Sequence, residues 1–220
     1  MKTQTNQNSA AMNRPRTNYH LIVDRSGSMS DCIDATINGF NEQIRRIRGM
    51  EVEFPEQEIR VGLTLFDHRI DLVRSMIRPV DMQLLDRRTY APDGTTALLD
   101  AIGQTITHLQ GWQSKHPDID STFVVVVLTD GHENSSQCFN LDQVRSLIRE
   151  LEATGKWTFS FIGATLDATE VARKMAFKAQ NSYAFNKASM KGEVWDKLSG
   201  SMHSYFNKKR TGKDLSDLFD

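Results

Sequence analysis

The chain has 220 residues, 39% of them hydrophobic and 25% charged, with a net charge of −1 at pH 7. That length suits one large domain with a sizeable core, and near-neutrality excludes nucleic acid or an anionic membrane surface as the main partner, since both reward a basic excess. No apolar run approaches the roughly 20 residues that cross a bilayer, and the N-terminus, MKTQTNQNSAAMNRPRTN, lacks the apolar region of a secretory signal. The expected compartment is therefore the cytoplasm. Two cysteines, Cys32 and Cys138, make no disulfide framework and are expected as free thiols.

Residues 1–17 are rich in Asn, Gln, Thr and Ser and read as a flexible tail. YHLIVD is a short apolar strand ending in Asp24, followed by the turn-like RSGSMS. In DCIDATINGFNEQIRRI, the residues Ile33, Ile37, Phe40, Ile44 and Ile47 recur at spacings of four and three, one stripe of an amphipathic helix. IRVGLTLFD alternates as a strand, and IDLVRSMI follows as its antiparallel partner. Residues 80–96 form a long polar connection ending in APDGTT. Leu98, Leu99, Ile102, Ile106 and Leu109 mark a second helix, closed by Gly111. TFVVVVLTD, a continuous β-branched run, suits a strand covered on both faces. LDQVRSLIRELEATG is helical, WTFSFIGA a strand, ATEVARKMAF a helix and SYAF a short strand. A last helix within 187–209 carries Val194, Trp195, Leu198, Met202, Tyr205 and Phe206. The domain is expected over 18–209, with KDLSDLFD in a C-terminal tail at 210–220 that is either a docking peptide or a frayed end.

Strands alternating with helices imply an α/β doubly wound, mostly parallel six-stranded sheet with one antiparallel edge strand and helices on both faces. In such a sheet, ligands sit beyond the carboxyl ends of the strands, where the strand order reverses. Three loops there combine oxygen ligands with a glycine: Asp24-Arg25-Ser26-Gly27-Ser28, Asp93-Gly94-Thr95-Thr96 and Thr129-Asp130-Gly131. The candidate ligands are Asp24, Ser26, Ser28, Thr95 and Asp130. Carboxylates and hydroxyls are hard donors that suit Mg2+ or Mn2+, with Ca2+ as a third candidate, rather than zinc or copper. Two carboxylates balance one divalent cation, leaving it able to attract a further anionic ligand.

DRSGS, DGTTALLDA and VVVVLTDG, in this order and context, resemble the signature of a von Willebrand factor A domain bearing a metal-ion-dependent adhesion site. The resemblance covers about 19–209 and is closest to stand-alone cytoplasmic members from bacteria and their phages, through GTTALLDAIG, TDGHENSS and WTFSFIGATLDATEVA. It implies that Asp24, Ser26 and Ser28 ligate the metal directly, and that Thr95 and Asp130 do so directly or through water. The remaining position would take a partner's Glu or Asp, and shifts in the metal loops would move the terminal helix. One departure is Asp93, where many members carry a second glycine before the threonine.

Other polar residues have plainer readings beside functional ones. Asp67 is either a supporting neighbour of the metal loop or an ordinary loop aspartate, and His132 and Glu133 either line a partner-facing rim or are simply exposed. His20, His108, His116 and His203 are scattered and read as structural or solvent-facing. The favoured function is a non-enzymatic interaction module that binds an acidic group of a protein partner through its metal. The alternatives are a Mg2+- or Mn2+-dependent phosphohydrolase and a constitutive subunit of a larger ATPase- or kinase-associated assembly. Against the hydrolase, DRSGS lacks the second aspartate of the DxD phosphatase motif and no Walker A loop is present. Oligomeric state is not legible.

Overall fold

Alternation along the first strand sorts its side chains onto two faces. Tyr19, Leu21 and Val23 enter one buried cluster and Ile22 the other. The valine run does the same: Val124, Val126 and Leu128 face the first cluster, Phe123, Val125 and Val127 the second. A strand apolar on both faces has to be central, with cover above and below. The computed structural model describes residues 14–130, 133–164, 166–186 and 192–219, with 166–169 described by backbone alone. Its strands are β1 (Arg16–Asp24), β2 (Glu58–Phe66), β3 (Ile70–Ile77), β4 (Ser121–Thr129), β5 (Trp157–Gly163) and β6 (Ser182–Ala184). They form one six-stranded sheet in the order β3-β2-β1-β4-β5-β6. Only β3 runs antiparallel, against β2. The architecture is the one expected.

Helices α1 (Ile33–Glu53) and α5 (Glu193–Arg210) cover the first face, and α2 (Leu98–Lys115), α3 (Leu141–Glu152) and α4 (Leu166–Lys174) the second. The stripe of α1 is buried at Ile37, Phe40, Ile44 and Ile47. α3 starts on a capping box, with Asn140 accepting from the Gln143 N–H and the Gln143 side chain accepting from the Asn140 N–H. No helix among the described residues is long and apolar enough to cross a membrane.

Four boundaries differ from expectation. β1 starts at Arg16, held by its ion pair to Glu58 at 2.7 Å. α2 does not stop at Gly111 but runs on to Lys115. A helical glycine costs only about 1 kcal/mol, and the extra turn places Trp112 against His116 and under Arg16. The polar connection buries Met82, Leu85 and Tyr90, because the Asn41 side chain donates to the Leu85 carbonyl and accepts from its N–H. Finally, α5 ends in a turn at Gly212 (φ 66), and the segment expected as a tail packs against the sheet edge. Leu218 and Phe219 are buried, Asn181 brackets the Ser216 carbonyl and the Leu218 N–H, and Thr158 donates to the Leu215 carbonyl. The described part of KDLSDLFD is thus bound to its own domain, and residues 187–191 of the expected last helix lie outside the described residues.

His20 lies inside this fold, in the space left by Gly62, where any Cβ would fall on the imidazole. Its Nε2 shares a 2.9 Å hydrogen bond with Thr64 Oγ1. Burial, helped by the charge of His108, lowers its pKa to about 3. The unfolded chain therefore takes up a proton near pH 6.5 that the folded chain refuses, and stability falls as pH drops from 6.5 towards 3. We expect a loss on the order of 4 kcal/mol over that window, read by urea unfolding at stepped pH. A His20→Gln variant should lack that component of the slope; an unchanged slope would assign it elsewhere.

Candidate metal centre

β1 and β4 are parallel neighbours with Val23 opposite Leu128, so their carboxyl ends deliver Asp24 and Thr129 side by side. This is where the strand order reverses, since β2 lies on one side of β1 and β4 on the other. Asp24 is fully buried. Its Oδ2 accepts from Thr129 Oγ1 at 2.5 Å, and its Oδ1 accepts from the Ser26 N–H at 2.7 Å. Ser26 Oγ and Ser28 Oγ are 3.1 Å apart, and Ser28 Oγ donates to Asp130 Oδ1 at 2.6 Å. Four of the five candidate ligands therefore join into one hydrogen-bonded string across the loops after β1 and β4.

The loop after β1 is held from three directions. The Arg25 N–H donates to the Phe66 carbonyl at 2.6 Å, and the Gly27 N–H to the Gly94 carbonyl at 3.0 Å. A Cβ on Gly27 would lie 3.3 Å from that same oxygen, so the glycine lets the two loops touch. From below, the buried Tyr90 hydroxyl donates to the Asp24 carbonyl at 2.7 Å. Ser26, extended at φ −70 and ψ 165, then starts the 3-10 turn Gly27–Cys32 that leads into α1.

Burial raises the Asp24 pKa to about 6; hydrogen bonds from Thr129 and Ser26 oppose the rise, and the neighbouring Asp130 adds to it. A carboxylate kept dry beside a second one is poorly stabilised without a cation. Asp67 contrasts with it. Burial works against its charge too, but hydrogen bonds from Arg69 and the nearby Arg25 guanidinium hold its pKa below the usual range. Its carboxylate is committed to those arginines, so Asp67 anchors Arg25 within the loop after β1.

Thr95 is placed differently. The loop that carries it touches the DRSGS loop through Gly94, but the Thr95 side chain is exposed and lines a polar cleft of about 480 Å³ together with Asp100 and Cys138. Among the described residues, no hydrogen bond ties Thr95 to the other four candidates. Thr96 is buried, with its N–H and carbonyl both paired to Asn134. Asp93 is exposed and acts on Arg69.

The donor set fits a small hard cation. Neighbouring ligands of an octahedral ion bound at about 2.1 Å lie roughly 3 Å apart, and the 3.1 Å between the two serine hydroxyls matches that edge. Among the described residues no group of three or more His, Cys, Asp or Glu could hold a metal. An ion here would complete its shell with hydroxyl, carbonyl or water oxygens.

Sequence reasoning missed two supports and misplaced a third. Tyr90 sat in an apparently polar connection. Asp100, buried on α2, accepts the N–H groups of Gln137, Cys138 and Phe139; its signal was a carboxylate between the apolar Leu99 and Ala101. Glu133, expected either at a partner-facing rim or as simply exposed, turns inward instead and accepts from the N–H groups of Leu99, Ser135 and Ser136. Four orphan N–H groups at a helix start attract such a carboxylate. His132 lies outside the described residues. Cys138 is exposed, and Cys32 is buried with its Sγ donating to the Met29 carbonyl at 3.3 Å; neither is in a disulfide among the described residues. His116 stacks on Trp112, His203 pairs with Glu53 at 2.7 Å, and His108 is exposed.

No curated protein matches the sequence. Several solved structures share its fold. Manganese-loaded TRAP protein from Plasmodium vivax is 17% identical with a TM-score of 0.54, the match covering 83% of this chain and 74% of that one. The proximal thread matrix protein 1 of the mussel byssus, with a zinc-occupied MIDAS motif, is 15% identical with a TM-score of 0.54, over 90% of this chain and 47% of that one. The PilB minor pilin of Streptococcus sanguinis is 11% identical with a TM-score of 0.62, over 86% and 61%. The chain thus spans about half of the mussel protein and less than two thirds of the pilin. The family model for the von Willebrand factor type A domain matches residues 20–197. That span begins inside β1, takes in both loops that carry the Asp24–Asp130 string and ends within α5, and by it the chain belongs to the von Willebrand factor type A domain family.

Proposed function

We propose that this chain is a non-enzymatic interaction module that holds one divalent ion, Mg2+ or Mn2+ with Ca2+ as a third candidate, and binds through it a carboxylate of a protein partner. Asp24, Ser26, Ser28 and Asp130 would hold the ion, with Thr95 contributing directly or through water. The observation that carries the reading is the string of oxygens from Asp24 to Asp130 across two adjacent strand ends. It is supported by the manganese and zinc named for two structures of the same fold. Arg25 and Arg69, held beside the metal loop by Asp67, add positive charge that favours an acidic partner over a basic one.

The test is direct. Mn2+ titration followed by electron paramagnetic resonance should show one site in the wild type, weakened about 100-fold or more in Asp130→Ala, with the far-ultraviolet circular dichroism unchanged. Capture of protein partners from the source cell should need Mg2+ or Mn2+; capture that persists in EDTA sinks the proposal. Phosphate-ester turnover that depends on Mg2+ or Mn2+ and vanishes in Asp24→Asn would instead make it an enzyme. A reducing compartment such as the cytoplasm is our reading of its location, supported by two cysteines that form no disulfide among the described residues, Cys138 of them exposed.

A further inference from the structure

Beside the metal loop lies the polar cleft of about 480 Å³ that receives Thr95. Its wall on the metal side is His68, whose ring occupies the space that a side chain on Gly94 would need. Gly94 at φ +69 is also the residue whose carbonyl holds Gly27, so cleft and metal loop share one piece of backbone. The remaining hydrogen-bonding side chains of the lining are Gln104, Ser135, Gln137 and Cys138, with Ile70 the only aliphatic among the described residues.

The chemistry of that lining is selective. Among the described residues Asp100 contributes the only carboxylate, and both of its oxygens already accept backbone N–H groups. Among the described residues no lysine, arginine or glutamate lines the cleft, and His68 is its one basic side chain. A charged occupant would therefore be desolvated without a counter-charge, and an aliphatic one would find little apolar wall. What the cleft does present, apart from Thr95 on its metal side, is a set of groups that both donate and accept: the hydroxyl of Ser135 and the amides of Gln104 and Gln137. Ser135 Oγ is buried without a hydrogen-bond partner, a state that costs free energy until an occupant supplies one. A primary carboxamide, with one acceptor oxygen and two N–H donors, is the complement of this lining.

We propose that the cleft is a second subsite, which reads an Asn or Gln side chain next to the partner's metal-bound acidic residue. This rests on the metal reading above and adds to it the sequence context of the partner. The occupant is an extended peptide segment, its carboxylate on the ion and its neighbouring amide in the cleft.

The experiment uses the full chain and an array of synthetic peptides with a fixed central Asp, the flanking positions varied, probed in Mn2+ and in EDTA. Expected is binding that needs Mn2+ and is about tenfold or more stronger with Asn or Gln beside the acid than with Ala, Leu or Lys. The double variant Gln104→Leu, Ser135→Ala should lose that preference while still binding acidic peptides in a Mn2+-dependent way. Mn2+-dependent binding with no amide preference, or a preference that survives the double variant, overturns the subsite and leaves the metal reading standing. If no acidic peptide responds to Mn2+ at all, the metal reading falls and the subsite with it.

Discussion

Asp24→Asn should abolish metal binding and, in the same molecule, raise the stability of the metal-free protein at pH 7.5 by up to about 3 kcal/mol. The Asp24 carboxyl is fully buried and its pKa is raised to about 6, first by burial and then by Asp130. For an acid the sign runs against folding at neutral pH. Below about pH 3.8 both states keep the proton; above it the unfolded carboxyl ionises first. Folded-state stability is then lost until about pH 6 and stays lower beyond. Asparagine keeps the shape, still accepts from the Ser26 N–H, and carries no charge to bury. Urea unfolding in EDTA at pH 7.5 reads the gain. In the wild type, a metal at 100 times its dissociation constant should return about 2.7 kcal/mol, and in the variant nothing. A variant less stable than wild type in EDTA would mean that the hydrogen bonds to Asp24 outweigh its desolvation. The two effects together would mark a site whose folding energy has been given up for ligand binding.

The second large effect is expected far from any ligand. A methyl group on Gly39 would fall on Trp195 Nε1 and Cδ1, so the α1–α5 contact depends on that glycine. The indole is buried and its N–H has no hydrogen-bond partner, which leaves shape as the reason for its position. Gly39→Ala is expected to cost about 3 kcal/mol in thermal or urea unfolding, near the upper end of ordinary overpacking. Adding Trp195→Leu should recover much of that loss, because the clash leaves with the ring. A neutral Gly39→Ala would show that α5 rides further from α1 than described. The contact matters for the candidate site because α1 begins directly after the 3-10 turn Gly27–Cys32 that carries Ser28.

Much of this molecule is legible in one dimension, and the reasons are local. Strand and helix periods predict the six strands, the antiparallel β3 and the doubly wound sheet, because burial on one face or two leaves a pattern in neighbouring residues. DRSGS and VVVVLTDG expose candidate ligands for the same reason, each being an oxygen-bearing turn next to a strand end. The misses share a different cause. Tyr90 looked like part of a polar linker, yet its hydroxyl supports the Asp24 carbonyl from 66 residues away. Glu133 looked outward, but the N-terminus of α2 draws it in. Leu218 and Phe219 looked like a loose end, and Asn181 and the sheet edge hold them.

The sequence alone thus determined the elements, their order, the family resemblance and the donor types, since each is written in residues close along the chain. Only the tertiary structure decided which carboxylates face one another and which are already committed to arginines or helix ends. It also decided that Thr95 opens onto a cleft beside the Asp24–Asp130 string. Those outcomes depend on pairings across 34 to 102 residues, where a side chain's partner is chosen by strand register and loop contact. No local pattern records that choice.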